Sequence, residues 1–266
     1  VIEHVERRVF GAIEFLDDVT GARVLAPLSV AGPGLRIVPN HGGLYVLRAW
    51  AGHDDYTRAF DGAPADPPRS EVALSVHDPA RRYLPRAFSL ALPRRLPTPG
   101  QPVPDADNAL RPVPVRLAPA PALPLRGSWA VLRLQVVADG STPPLGLANV
   151  LVEATPAVAG LAVQRTLTDT RGEALVAIAG VPPLLPDPGP SGLTREFGLA
   201  LRLVLDRAVV RTSAEAADSN LPLADPDLIA RRLAAADPAV RAVAADAPPH
   251  LSAGTSRRFQ ARVTWP

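Results

Sequence analysis

Apolar residues in this chain come in short runs that alternate with polar ones at every second position, and each run ends at a cluster of Gly, Pro, Asn or Asp. In residues 129–137 (WAVLRLQVV), Leu132, Leu134 and Val136 fall on one side, with Val131, Arg133 and Gln135 on the other. Near the end, Phe259, Ala261, Val263 and Trp265 alternate with Arg258, Gln260, Arg262 and Thr264. A period of two puts every second side chain on one face of a strand, so a chain written this way folds as sheets with one face on a core. The predicted fold class is therefore all-β.

Residues 1–97 read as a first β-sandwich domain. A strand-like run over Val9, Ala12, Ile13 and Phe15 meets the turn Asp17-Asp18-Val19-Thr20-Gly21, and further strands are expected at 24–30, 35–38, 44–48, 72–76 and 87–92. Turn residues at such short intervals are the mark of a small sandwich. Residues 98–126 read as a proline-rich linker. Proline fixes φ and removes a ladder donor, which favours an extended spacer or strap over sheet.

Residues 127–266 read as a second sandwich, with strands expected at 129–137, 149–154, 163–167, 173–178, 197–205 and 258–265. The pattern breaks near 225–246. Asp225-Pro226 precedes LIARRLAAA and Asp237-Pro238 precedes AVRAVAA, and Asp before Pro combines an N-cap with proline at the first helical position. Two short helices are expected there, as a lid over the sandwich or a contact surface.

Chemistry is sparse. Cysteine is absent, which removes disulfides, thiolate metal sites and cysteine nucleophiles. The histidines at 4, 41, 53, 77 and 250 make no i,i+4 pair and no H-E-x-x-H, and His53-Asp54-Asp55 reads as a solvated loop. There is no G-x-S-x-G elbow, no dinucleotide fingerprint and no Walker loop. The reading is thus a non-enzyme with no catalytic residues, no cofactor and no metal. The opening residues carry charge without an apolar core of a signal peptide, and no run is long enough for a membrane helix, so a soluble protein is expected, cytoplasmic or part of an assembled particle.

All 28 basic residues are arginine, yet the formal net charge is only +2, a weak footprint for nucleic acid. Arginines recur in pairs, and arginine suits bidentate contacts to carboxylates at protein interfaces. Arg81, Arg82, Tyr83 and Arg86, with Arg231 and Arg232, form the candidate interaction surface. Other protein subunits are the expected partners, with no nucleic acid, membrane span or small-molecule ligand.

Three strings in the second domain carry a family resemblance: PLGLANVLV (144–152), TLTDTRGEA (166–174) and Gly180-Val181-Pro182. Together they resemble the carboxypeptidase-regulatory-like group of transthyretin-type sandwiches. A looser echo lies at 19–24 and 41–46. The resemblance implies two Ig/transthyretin-like sandwiches joined by the proline-rich linker, in an accessory rather than catalytic role. No peptidase residues carry over. Similar modules occur in bacterial adhesins and in clusters for contractile injection systems or phage-tail-like particles. The expected function is a structural or adaptor subunit of such an assembly. The alternative is a carbohydrate- or surface-binding adhesin module, with Tyr45, Trp50 and Tyr56 as its candidate aromatics.

Overall fold

A computed structural model describes residues 6–7, 9–59, 68–95, 97, 102–124, 128–186, 189–190, 192–217, 221–246 and 249–265. The chain is all-β, and the helices among its described residues are short. It divides into two units. The first comprises residues 1–17, 21–79 and 85–117; the second comprises 18–20, 80–84 and 118–266.

In the first unit, β1 (Glu6–Arg7) pairs with β6 (Arg58–Ala59), and α1 (Asp54–Thr57) is a single turn. The main strands are β2 (Gly11–Asp17), β3 (Ser29–Ala31), β4 (Leu35–Pro39), β5 (Leu44–Trp50), β7 (Ser70–His77), β8 (Arg86–Leu92) and β9 (Val113–Leu117). They form one sheet in the order β4-β5-β2-β9 and another in the order β3-β7-β8. Alternation is obeyed: Ile13 and Phe15 of β2, Val72, Leu74 and Val76 of β7, and Phe88, Leu90 and Leu92 of β8 are buried. The Phe15 ring meets Phe88 of the other sheet edge to face, with centroids 6.0 Å apart.

Strand β9 falls inside the stretch expected to be a sheet-free spacer. Its Val115 and Leu117 are buried, and it pairs parallel to β2 with Phe15 opposite Val115. Proline is tolerated because β9 is an edge strand. The Arg116 carbonyl accepts from Arg86 Nη1 at 2.9 Å.

A buried arginine holds the preceding loop. Arg94 is 4% exposed; its Nη2 donates to Asp105 O at 2.6 Å and its Nη1 to Arg111 O. Burial pushes its pKa below the ordinary arginine value. Arg95 N donates to Asp107 O at 2.7 Å, and the Asp107 carboxylate pairs with Arg69 at 2.6 Å.

In the second unit the main strands are β10 (Ala130–Ala138), β12 (Leu151–Pro156), β13 (Gln164–Leu167), β14 (Glu173–Ile178), β17 (Phe197–Asp206), β19 (Val240–Ala244), β20 (His250–Leu251) and β21 (Ser256–Val263). The short pairs are β11 (Leu147–Ala148) with β18 (Arg211–Thr212), and β15 (Leu185–Pro186) with β16 (Leu193–Thr194). One sheet runs β14-β10-β21; the other runs β13-β12-β17-β19, with β20 also on β17. They share one core, in which Leu132, Leu134 and Val136 of β10 meet Val152 of β12 and Leu199, Leu201, Leu203 and Leu205 of β17. Helix α2 (Ser213–Ala217) is opened by Thr212, whose Oγ1 accepts from Glu215 N at 3.3 Å while its own N donates to Glu215 Oε2 at 2.7 Å. Helix α3 (Pro226–Ala234) buries Ile229 in a second cluster with Leu151, Leu167 and Val204, on the opposite side of the β12–β17 sheet.

Only the first of the two expected helices exists. Residues 240–244, read as helical, are strand β19, with Val240 opposite Asp206 and Val243 opposite Leu203. Asp237 does accept from Ala239 N at 2.9 Å as an N-cap would, but Val240 N then closes a turn on Asp237 O. A helix this short gains few bonds for its nucleation, whereas a strand pairs the otherwise open edge of β17.

The two units repeat one strand order. In each, the first long strand (β2, β10) lies between an antiparallel partner (β5, β14) and a parallel last strand (β9, β21). In each, β3 or β12 pairs with β7 or β17, which then pairs with β8 or β19. Among the described residues the orders differ at two strands: β4 joins β5, whereas its counterpart β13 joins β12, and β20 adds to β17.

Three substitutions test these contacts, Gly140→Ala serving as the control. A Cβ on Gly172, which has φ +79°, would stand 2.6 Å from both Leu147 N and Val136 O, while one on Gly140 meets nothing within 4 Å. In urea unfolding, Gly140→Ala is expected to cost about 1 kcal/mol for its positive φ, and Gly172→Ala more than about 4 kcal/mol. Arg94→Met removes both carbonyl contacts of the loop; it is expected to cost about 1–3 kcal/mol and to speed tryptic cleavage at Arg111.

Candidate functional site

Among the predicted surface residues, Arg81, Arg82 and Tyr83 sit on a short segment of the second unit. Arg82 O accepts from Ala120 N at 2.8 Å, Leu84 N donates to Ala118 O at 2.9 Å, and Tyr83 forms a bridge with Pro119. Leu84 thereby enters the cluster that also holds Ile229 of α3. This segment and α3 thus border the same buried cluster. The Arg82 guanidinium carbon lies 5.8 Å from the Tyr83 ring centroid, a cation–π distance. Arg81 is exposed, with φ 54°.

Arg86 and Arg232 are not displayed in this way. Arg86 belongs to the first unit, is 6% exposed and reaches from β8 to β9. Burial and internal bonding make it a tie within that unit rather than part of a surface. Arg232 pairs with the buried Asp206 at the end of β17 and, through Nε, with Asp237 at 2.8 Å. These ion pairs fasten the last turn of α3 to the strand beneath it.

Helix α3 is held at both ends. Asp225 Oδ1 accepts from Asp227 N at 3.0 Å and Leu228 N at 3.2 Å, and Pro226 supplies the first helical position. Ile229 faces inward, with Ala230 and Leu233 partly buried beside it. Leu228 and Arg231, three residues apart and hence on one face, remain exposed, and Leu223 on the approach to the helix is exposed as well. The sequence signal missed here was Leu228: helical periodicity marks it as an apolar residue off the buried stripe.

A second feature lies on the outer face of the β14-β10-β21 sheet. A groove of about 570 Å³ is lined by Arg133, Gln135, Glu173, Arg258 and Gln260, with Pro121 at its side. Gln260 Nε2 donates to Gln135 Oε1 at 3.2 Å, and Arg133 Nη1 donates to Pro121 O. Its charged lining suits polar or peptide contacts rather than an apolar small molecule.

The aromatic residues proposed for surface binding are divided by burial. Tyr45 is 5% exposed, with its hydroxyl accepting from Leu28 N at 2.7 Å; Tyr56 is 4% exposed and packs against Phe10 at 4.8 Å. Only Trp50 is half-exposed, with His53 stacked on it at 4.1 Å. Among the described residues, no group of three or more His, Asp or Glu gathers as a metal cluster would, and no helix is long and apolar enough to cross a membrane.

Comparison with known proteins yields no family model, no curated protein and no solved structure that matches this chain.

The hold on α3 depends on pH. The Ala239 N–H and then the Arg232 guanidinium keep the Asp237 carboxyl below its ordinary value of 3.8. Its charged form therefore stabilises the fold above that value, and the contribution is lost as pH falls through the lowered folded-state pKa. Asp237→Asn is expected to lower Tm relative to the parent at pH 7, with the gap narrowing steadily below pH 3.8 in a series of thermal melts.

Proposed function

We propose that this chain is a non-enzymatic structural or adaptor subunit of a larger bacterial assembly, its most specific form being a contractile injection system or phage-tail-like particle. In this reading it consists of two Ig/transthyretin-like sandwiches of the carboxypeptidase-regulatory-like kind, joined through the proline-rich stretch, and its partners are other protein subunits. The strand order common to both units supports the module reading. So does the convergence of the family-like strings: Gly146 and Gly172 pack backbone to backbone, and Thr168 Oγ1 donates to Leu147 O at 2.5 Å.

The observation that carries the assembly role is the outer face of α3. A helix capped by Asp225 and fastened by Arg232 presents Leu228 and Arg231 to solvent in a fixed geometry. Ordering this face before contact removes the entropy cost that a flexible segment would bear on docking. An exposed leucine beside arginine matches protein interfaces, where apolar contact is combined with bidentate pairing. Arg81 and Arg82 extend the basic character along the neighbouring segment. The glycan-binding alternative loses two of its three aromatics to the core.

The test is sedimentation of the untagged protein from native lysate, with identification of what travels with it. Fast sedimentation with sheath-, tube- or baseplate-like proteins is expected. The Leu228→Glu/Arg231→Glu variant is expected to sediment slowly while keeping the parent circular dichroism spectrum. A parent protein that sediments alone as a monomer would overturn the reading.

A further inference from the structure

Among the described residues, the last strand, β21, pairs on one edge only. Val131 N donates to Thr255 O at 2.9 Å, and Asp139 N donates to Val263 O at 2.9 Å. These carbonyls, eight residues apart, both point toward β10. Backbone polar groups of successive residues in a strand point to opposite edges. Arg257, Phe259 and Ala261 therefore share the direction of Thr255 and Val263. The N–H and C=O groups of Ser256, Arg258, Gln260 and Arg262 point the other way, and among the described residues no strand pairs with them.

Side chains follow the same alternation. Ala261 and Val263 are buried in the core and Phe259 packs on it, while Arg258, Gln260 and Arg262 are exposed on the outer face. The open edge thus combines unpaired ladder groups with two arginines spaced four residues apart. The corresponding last strand of the first unit is different, because it contains Pro114 and its Arg116 carbonyl is bonded by Arg86. Natural edges are blunted by proline, by charge or by a cover; β21 has no proline, and Arg258 and Arg262 are the charges its edge carries.

We propose that the open edge of β21 docks an extended acidic segment of a partner protein, which adds to the sheet as a strand with carboxylates at alternate positions facing Arg258 and Arg262. Charge complementarity selects this occupant. A second copy of β21 added antiparallel about Gln260 would set Arg258 opposite Arg262, a like-charge pairing that disfavours self-association. Main-chain bonds would supply affinity, and the arginines would choose among segments. This site is separate in its residues from the α3 face.

The experiment uses the full chain and a synthetic peptide alternating Glu with Val, with residue-resolved amide exchange as the readout. In the free protein, the amides of Arg258, Gln260 and Arg262 are expected to exchange faster than those of Phe259, Ala261 and Val263. Saturation with peptide is expected to protect the first set. Gln260→Pro removes the central edge donor while keeping both arginines and the pairing to β10, and Arg258→Glu/Arg262→Glu reverses the charge. Each is expected to weaken binding roughly tenfold or more with the parent circular dichroism spectrum retained. Peptide binding without protection of these amides, or undiminished binding by both variants, would overturn the proposal. So would equal binding of a peptide with the same charge and interspersed proline.

Discussion

The close approach of the Gly146 backbone to the turn at Gly172 organises the second unit. A Cβ on Gly146 would stand 2.0 Å from Arg171 O, so the chain before β11 lies directly on the turn before β14. Thr168, 2% exposed, donates to Leu147 O and accepts from Val150 N at 2.9 Å. Asn149, with φ 62°, uses its side-chain amide on Val209 O at 3.0 Å and Pro222 O at 2.9 Å. Buried polar groups are costly unless satisfied, so these bonds admit few other arrangements of the loops. Through them the β14-β10 sheet, the β12-β13 pair and the approach to α3 are brought into one register.

Arginine does the comparable work elsewhere, although for different reasons in each place. Arg86 and Arg94 are buried and donate to backbone carbonyls, Arg86 to strand β9 and Arg94 to the proline-rich loop before it. Arg232 instead neutralises the buried Asp206. In a chain without lysine, the planar guanidinium serves as internal cross-link as well as surface charge. Composition therefore does not separate a binding arginine from a structural one; only burial and partners do.

Strands with one buried face were legible because alternation reports a face. β10 and β21 lie where period two places them, and α3 begins where Asp225-Pro226 requires. The errors occurred where local chemistry was equivocal. Asp237-Pro238 repeats the helix signal, yet the open edge of β17 claimed residues 240–244. Val113-Pro114-Val115 looked unfit for sheet, yet an edge can accept proline on its outer side. In the opposite sense, Thr212-Ser213-Ala214-Glu215 carries a capping box outside the expected elements, and it opens α2. For the candidate surface, residue type pointed to arginine pairs, but which member of each pair reached solvent was not written locally.

By itself the sequence determined the all-β class, the strands expected at 129–137 and 258–265 and found at 130–138 and 256–263, the start of α3 and the glycine turn at 172. Each of these follows from periodicity or from a backbone conformation only certain residues adopt. Tertiary structure alone decided which strands became neighbours, and that assignment made a strand of residues 240–244. It also buried Arg86 and Arg94 while leaving Arg81 and Arg231 outside, and it set the polar groups of Arg258, Gln260 and Arg262 on an unpaired edge. The physical reason is that pairing and burial depend on what the rest of the chain brings alongside, and a local pattern carries no record of its neighbour.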